Sequence, residues 1–465
     1  MTISLATDYE TAYHEQNQYF SYRYVAAKVD PLIMLTAFPQ TQTHFFWQTP
    51  DQQLTLVGID QVVRLELVSD ASLVQQKAQL ARRLFDPTES SRLFGAFPFD
   101  TQGAAAPLWE ELGKGGFILP RYLFVFSKTD CYVTITVERP ATFAELATVF
   151  TAEQAKIDQV FAKLASQQLP AVSNQVVTEE ELAVEEWVET VNEAVRTIQN
   201  TTTSLTKVVL ARQLLLTMAQ PITAVVVLQQ LQQQQPNTYL FLWSYQGSTF
   251  VGATPERLLA ADDTYLVTAA VAGSIARGHS PNEDDGLGKE LLASPKNTQE
   301  HQIVVDRIVK ELTPLSREKL LVSPRRLLKN RDIQHLFAEI RGKRMPQTAL
   351  LSMIQQLHPT PALGGEPKRE ATQWIREHEP LGRGLYGAPI GWIGLAKDEG
   401  EFAVGIRSAV LRETQALLYA GCGIVADSHA EEERQETAIK FQPMKRGIIG
   451  DDPSKNYDGI RNGTT

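Results

Sequence analysis

The chain of 465 residues is 43% hydrophobic and 21% charged, with a formal net charge of −10. It has room for two or three ordinary domains or one large intertwined α/β unit, and its composition is that of a soluble globular protein. The acidic balance leaves no basic footprint for nucleic acid, and an anionic substrate needs a local positive site or a metal ion to enter such a field.

Residues 1–170 mix strand-like runs, among them LVGIDQVVRLELV (56–68) and RYLFVFS (121–127), with helical stretches such as the one around Leu73–Leu84. A polar connector near Gln167–Gln175 precedes a helix predicted to start near Thr178. Leu182, Trp187, Val188, Val191, Val195 and Ile198 recur there at helical period. Strands are expected at KVVLAR (207–212), YLFLWSY (239–245), TFVGAT (249–254) and YLVTAAVAG (265–273). The polar segment HSPNEDDGLGK (279–289) is a candidate mobile loop. Helices near 298–313 and 346–357 follow, then strands FAVGIRSAVL (402–411) and ALLYAGCGIV (416–425), and a closing helix over about 429–447. QQLQQQQ (229–235) is a helix surface or a loop with no assigned function, and no solenoid-type repeat is found. Long strands with mostly short or hairpin-like connections favour large antiparallel sheets over a doubly wound parallel one. Cys131 and Cys422 make no disulfide framework, and no Cys/His cluster has zinc spacing. No apolar run reaches about 18 residues and no charged-then-apolar leader opens the chain, so the expectation is a cytoplasmic protein with no membrane partner.

The stretch GCGIVADSHAEEERQETAIK (421–440) carries the most chemistry. Gly421 and Gly423 lie at the end of an apolar strand and permit a close approach to its backbone. After an Asp/Ser cap at Asp427–Ser428 the chain becomes a glutamate-rich helix. At about 100° per residue, Glu433, Glu436 and Lys440 fall within roughly a 60° arc, while Glu431 points away. Two carboxylates and an ammonium on one face suit a hard cation held together with a carboxylated ligand. The same residues also read as a solvated face with a Glu436–Lys440 i,i+4 pair. Lys207 shares a strand face with Val209 and Ala211, either as a snorkelling edge residue or, once desolvated, as a general base. Glu256 follows Thr254–Pro255, where the chain must leave the strand; read alone it is a turn carboxylate before it is a catalytic acid. Glu300, on an amphipathic helix with Ile303, Val304 and Ile308, reads alone as a solvated glutamate. His301 and His335 read as hydrogen-bonded structural histidines before ligands.

Taken in order, KVVLAR, GATPERL, AVAGSIARG, SPKNTQEHQIVVDRI, QHLFAEIRG, LHPTPALGG, RGLYGAPIGW, FAVGIRSA and AGCGIVADSHAEEERQET resemble the motifs of the chorismate-utilising enzymes, over roughly Thr178–Gly447. FGAFPFD, Trp109 and FILPRYLF extend the likeness into the N-terminal half, where it resembles the isochorismate synthase branch. The resemblance implies one α/β unit of the α+β type. Two large antiparallel sheets pack together, helices lie outside, and the active site lies between the sheets. Residues 1–170 would form the divergent N-terminal part of that fold, 171–450 the chorismate-binding catalytic region, and 451–465 a disordered tail.

The family's roles imply Lys207 as the base that activates water and Glu256 as the acid that protonates the departing C4 hydroxyl of chorismate. They imply Glu300 and Glu436 as Mg²⁺ ligands, with Glu433 nearby, directly or through water. Arg407 and Lys440 would meet the substrate carboxylates, with Arg407 facing the opposite side from Ile406. Tyr386, Gly421 and Gly423 would line the site, and His335 would approach the ring. Ser274 stands where the family usually has threonine and keeps its hydroxyl. Three positions narrow the reaction. Lys207 replaces the glutamine of ammonia-using members, so water is the nucleophile and no glutamine amidotransferase subunit is expected. Ala272 replaces the nucleophilic lysine of aminodeoxychorismate synthases, and Ala362 the threonine of salicylate and anthranilate synthases. The LLES motif of tryptophan-regulated anthranilate synthases is missing from the N-terminal half, and LLAS at 291–294 lies elsewhere. The resemblance therefore implies a Mg²⁺-dependent isochorismate synthase, monomer or homodimer, of the menaquinone-pathway type, interconverting chorismate and isochorismate. The alternatives are a salicylate synthase that releases pyruvate and a non-catalytic chorismate-binding protein. The intact Lys207–Glu256 pair argues against the latter.

Overall fold

The computed structural model describes residues 3–39, 42–67, 70–103, 107–164, 167–169 and 174–450. The tail expected from 451, and part of the connector at 167–175, lie outside the described residues. Two large sheets face one another, as expected. The first runs from the edge strand Val176–Leu182 through Lys207–Met218, Gln415–Ile424, Ser408–Arg412, Ser248–Thr254 and Tyr239–Tyr245. It continues through His44–Gln48, Thr55–Ile59, Tyr122–Phe126, Cys131–Glu138 and Tyr19–Ala26 to Leu84–Phe85. The second includes Ile333–Lys343, Tyr265–Ala276, Arg257–Ala261, Gly400–Val404, Pro389–Gly394, Arg92–Ala96 and Gly116–Leu119. Pairing is antiparallel throughout, except where Tyr19–Phe20 lies parallel to Leu84–Phe85. Both sheets draw strands from both halves of the chain, so neither half has a separate core.

Large aromatics on the inner faces fill the space between the sheets: Phe45, Trp47, Phe241 and Trp243 from the first, Phe94 and Trp392 from the second. Rings bury 150–250 Å² each and account for much of the packing energy at such a seam. Helices cover the outer faces, Pro295–Leu312 packing on Tyr265–Ala276 and Ala430–Ile449 on Gln415–Ile424. Among the described residues no helix is long and apolar enough to cross a membrane.

The chain passes from one sheet to the other at several points. Ser248–Thr254 lies in the first sheet and Arg257–Ala261 in the second, with Pro255 and Glu256 at the crossing. The antiparallel partner returns beside it, Gly400–Val404 in the second sheet and Ser408–Arg412 in the first. Its crossing at Gly405–Arg407 puts Arg407 at a φ of 49°. The two crossings are stitched by Val404 N–H to the Glu256 carbonyl and Ala253 N–H to the Arg407 carbonyl, both at 3.0 Å. The N-terminal half repeats the device. Thr55–Ile59 and Val63–Leu65 pair with Tyr122–Phe126 and Gly116–Leu119, and Asp60 and Arg121 occupy the crossings.

Three local expectations are corrected. Residues 176–182 form an edge strand on Lys207–Met218 instead of the first turns of a helix, which begins at Val184. The glutamates there are claimed from outside, Glu179 by Lys445 at 2.7 Å and Glu181 by Arg434 at 3.0 Å, so tertiary ion pairs override helical propensity. The segment 279–289 is no loop: Pro281–Ala293 is a helix capped by Ser280, and Asp284 is clamped by Arg277 and Lys329 at 2.5 and 2.7 Å. The closing helix starts at Ala430 with His429 at the N-cap, so Asp427–Ser428 is not the cap.

Candidate active site

The crossings of the C-terminal ribbon open onto a cavity of about 160 Å³ between the sheets. Lys207 and Val209 enter it from the strand Lys207–Met218, and Tyr419, Gly421 and Gly423 from the neighbouring strand Gln415–Ile424. Their positions follow from the two-residue side-chain period. The register places Val209 opposite Gly423 and Ala211 opposite Gly421. A Cβ at Gly423 would lie 2.7 Å from Lys207 Cε, so a side chain there would have to push the lysine aside. At Gly421 a Cβ would come within 3.1 Å of the Tyr386 hydroxyl. The strand therefore lets Lys207 lie flat across its neighbour, with Nζ 4.0 Å from the Glu300 carboxylate.

Glu256 faces this cavity from its crossing, half-buried, with its own N–H donating to Thr254 Oγ1 at 3.2 Å. Burial pushes its carboxyl up to about 7, and the Lys207 ammonium opposes that rise. Such a group exchanges a proton near neutral pH, which a solvated turn carboxylate does not. Arg407 is likewise half-buried, and its Nη1 donates to the Lys440 carbonyl at 3.4 Å. Arg407 and Ile406 both line the cavity, contrary to the expected opposition, because the chain is not extended at the crossing.

His335 and Ser274 are register partners on adjacent strands, and Ser274 Oγ lies 2.8 Å from His335 Nδ1. Burial, then the charges of Arg407 and Lys440, push this histidine down to about 3, so it is neutral, and among the described residues its Nε2 has no partner. A bulge at Gly273, φ 72°, brings Ser274 into register and admits Asn297 of the Glu300 helix, 3.1 Å from where a Cβ would stand. Tyr386 stacks on Tyr419 with centroids 5.0 Å apart, and Trp109 Nε1 donates to the Tyr419 hydroxyl at 2.6 Å. Ala272 and Ala362 complete the wall with small apolar surfaces.

The acidic residues separate. Glu300 and Glu436 both line the cavity, half-exposed, and Glu436 accepts from Lys440 Nζ at 2.5 Å. Lys440 also donates to the Gly421 carbonyl at 2.9 Å, tying helix to strand. Glu433 does not line the cavity, although the helical arc groups it with Glu436. Its carboxylate accepts from Ser428 Oγ at 2.8 Å beside the Cys422 thiol. Being in the first turn, it folds back over the helix start instead of projecting forward. Among the described residues no three Asp, Glu, His or Cys side chains form a ready-made metal cluster. Glu300 and Glu436 nonetheless suit a hard cation: both are oxygen donors open to the cavity and, among the described residues, paired with lysines, and a carboxylated ligand with water could complete the shell.

Sequence reasoning missed the support behind this wall. Arg383 and Glu379, both almost fully buried, pair at 2.6 Å. Arg383 donates to the carbonyls of Leu363 at 2.9 Å and Val209 at 2.6 Å, while Glu379 accepts from Ala211 N–H at 2.5 Å. The pair joins the Lys207 strand to the Ala362–Leu363 loop. Its i,i+4 spacing gives no signal, because Pro380 follows the helix that ends at His378. Tyr419 was within reach, since it shares the two-residue period of Gly421 and Gly423.

A desolvated carboxyl poised near neutrality across from an amine serves proton transfer, and the cations beside it serve an anion. Fold and site together thus define an acid–base enzyme for a small carboxylated substrate. The model of the family described as chorismate binding enzyme matches residues 5–449, and the chain belongs to that family. It is 34% identical to the isochorismate synthase MenF of Bacillus subtilis, the match covering 93% of each chain. It is 30% identical to the salicylate biosynthesis isochorismate synthase of Pseudomonas aeruginosa, over 90% of this chain and 88% of that one. The structure of MenF, the menaquinone-specific isochorismate synthase of Escherichia coli, superposes with a TM-score of 0.78 at 27% identity, covering 95% of this chain and 99% of that one.

Proposed function

We propose that this protein is an isochorismate synthase, converting chorismate reversibly into isochorismate. The observation that carries the reading is Glu256, half-buried and pushed up to about 7 in a cavity shared with Lys207. Lys207, once unprotonated, takes a proton from water as its oxygen attacks C2. The bond to the C4 hydroxyl breaks as Glu256 gives that oxygen its proton. One water enters and one leaves, and the reverse reaction exchanges the two roles. Arg407 and Lys440 hold the substrate carboxylates, the planar guanidinium suiting a two-point contact. Neutral His335 and the Tyr386 ring shape the cavity around the substrate ring without adding charge. Glu300 and Glu436 would hold Mg²⁺, with Glu433 contributing at most through water. When bound, the ion supplies positive charge against a substrate carboxylate that the acidic protein would otherwise repel.

The alanines at 272 and 362 supply neither a lysine nucleophile nor a threonine hydroxyl, which favours stopping at isochorismate. The near full-length likeness to enzymes named MenF supports a place in menaquinone synthesis, and Lys207 as a base for water favours a reaction without an amidotransferase subunit. The purified protein with chorismate and Mg²⁺ should form isochorismate without pyruvate in a lactate dehydrogenase-coupled assay. Stoichiometric pyruvate would make it a salicylate synthase, and no turnover at all would make it a chorismate-binding protein.

A further inference from the structure

The strand that carries Lys207 has a gap along its outer edge. Gly365–Glu366 pairs with it at Lys207 and Val208, and Val176–Leu182 pairs with it from Gln213 onward. Among the described residues no strand covers Val209–Arg212 on that side. Buried backbone polar groups left unpaired are costly, so the gap must be filled by something else. Glu379 accepts from Ala211 N–H at 2.5 Å, and Arg383 Nη2 donates to the Val209 carbonyl at 2.6 Å. Val209 N–H donates to the Gly364 carbonyl at 2.9 Å. Gln213 Nε2 donates to the Gly382 carbonyl at 2.9 Å, so the turn between the two charged residues runs along the same edge.

Arg383 is the hub of this arrangement. Its fork meets the Glu379 carboxylate through Nε at 2.6 Å and Nη2 at 2.9 Å, and Nη1 reaches the Leu363 carbonyl at 2.9 Å. The Arg383 carbonyl accepts from Tyr386 N–H at 2.9 Å, and the Phe99 ring covers the guanidinium at 4.1 Å. Val209, Leu363 and Tyr386 all line the proposed active site, whereas neither Glu379 nor Arg383 does. One planar group thus ties three walls of the cavity together from behind, without reaching the substrate. We propose that Glu379 and Arg383 are positioning residues for the reaction. They stand in for the missing strand and hold the Lys207 strand against the Leu363 loop and the Tyr386 turn, at the spacing that water attack requires. This rests on the reading of Lys207 as the base. An ordinary strand fixes neighbours within the sheet, but the guanidinium also reaches out of it to the loop. Lysine at 383 keeps the charge yet donates from a single point, so it cannot span both carbonyls and the carboxylate.

Steady-state kinetics of the full chain with Arg383→Lys, alone and combined with Lys207→Ala, test the proposal. The variant keeps the buried pair neutral and should fold, as circular dichroism checks. Its kcat should fall about 10²-fold, the cost of displacing a reacting group by about 1 Å. KM for chorismate should change by less than about threefold, because Arg407 and Lys440 are untouched. Since the pair acts through Lys207, the same substitution should cost less than about threefold in the Lys207→Ala background. Should Arg383→Lys not fold, Glu379→Asp takes its place in the cycle. It retains both charges and draws the carboxylate one methylene back from Ala211 N–H, and the same pattern is expected. A folded variant with kcat within about threefold of wild type, a rise confined to KM, or an equal loss in both backgrounds would overturn the positioning role. Lys207→Ala alone with nearly wild-type turnover would instead overturn the base reading on which the proposal stands.

Discussion

Replacing Glu256 with glutamine tests the acid through stability as well as rate. The folded carboxyl titrates at about 7 against 4.5 for the free group. Folding therefore retains a proton that the unfolded chain releases between those two values. Below 4.5 both states are protonated and the group contributes nothing. As pH rises through the window the wild type loses stability, by about 3 kcal/mol once Glu256 is ionised in both states, at about 1.4 kcal/mol per pH unit. Glutamine does not titrate, so the gap between variant and wild type should widen by about 2–3 kcal/mol from pH 5 to pH 8.5. For 465 residues, with an unfolding entropy near 2 cal/mol/K per residue, that is a change of about 2–3 °C in relative Tm. Scanning calorimetry of both proteins at matched ionic strength across this range measures it. The same variant should lose about 10²–10⁴ in kcat, and wild-type kcat should decline above pH 7 as the acid loses its proton. Parallel Tm curves at pH 5 and pH 8.5 would refute the raised pKa and, with it, the physical basis of the acid assignment.

Lys207→Ala should cost at least about 10²-fold in kcat; turnover close to wild type would return the lysine to a packing role. Glu436→Gln should raise the Mg²⁺ concentration for half-maximal activity at least about tenfold with an unchanged circular dichroism spectrum, and an unaltered titration would remove it from the metal set. Gly423→Ala puts a methyl 2.7 Å from Lys207 Cε. It should displace the amine and lower kcat about tenfold with little effect on Tm, whereas a large loss of Tm with kcat preserved would mark the glycine as structural.

What was legible in the sequence divides by mechanism. The helical phase alone put Glu436 and Lys440 on one face, and the strand period put Lys207 with Val209, because both depend on local geometry. The convergence of Lys207, Glu256, Glu300 and Arg407 on one cavity came only with the ordered motifs, since residues from several separate elements meet there. Glu433 shows the limit of phase: its direction on the helix is fixed, yet Ser428 redirects its carboxylate. The strand at 176–182 was hidden because its glutamates answer to Lys445 and Arg434, far away in sequence. The sheet crossings at Glu256 and Arg407 were hidden because alternation reports a strand's faces and says nothing of which sheet holds it.

The duplicated ribbon has a chemical consequence. In the N-terminal copy the acid and the arginine at the crossings, Asp60 and Arg121, close on each other at 3.1 Å and cancel. In the C-terminal copy no ion pair joins Glu256 to Arg407 among the described residues, and a protonated carboxyl and an arginine with little to hold stay ready for a guest. One scaffold element thus serves as a rivet in one half of the molecule and as a tool in the other, according to whether its two charges meet.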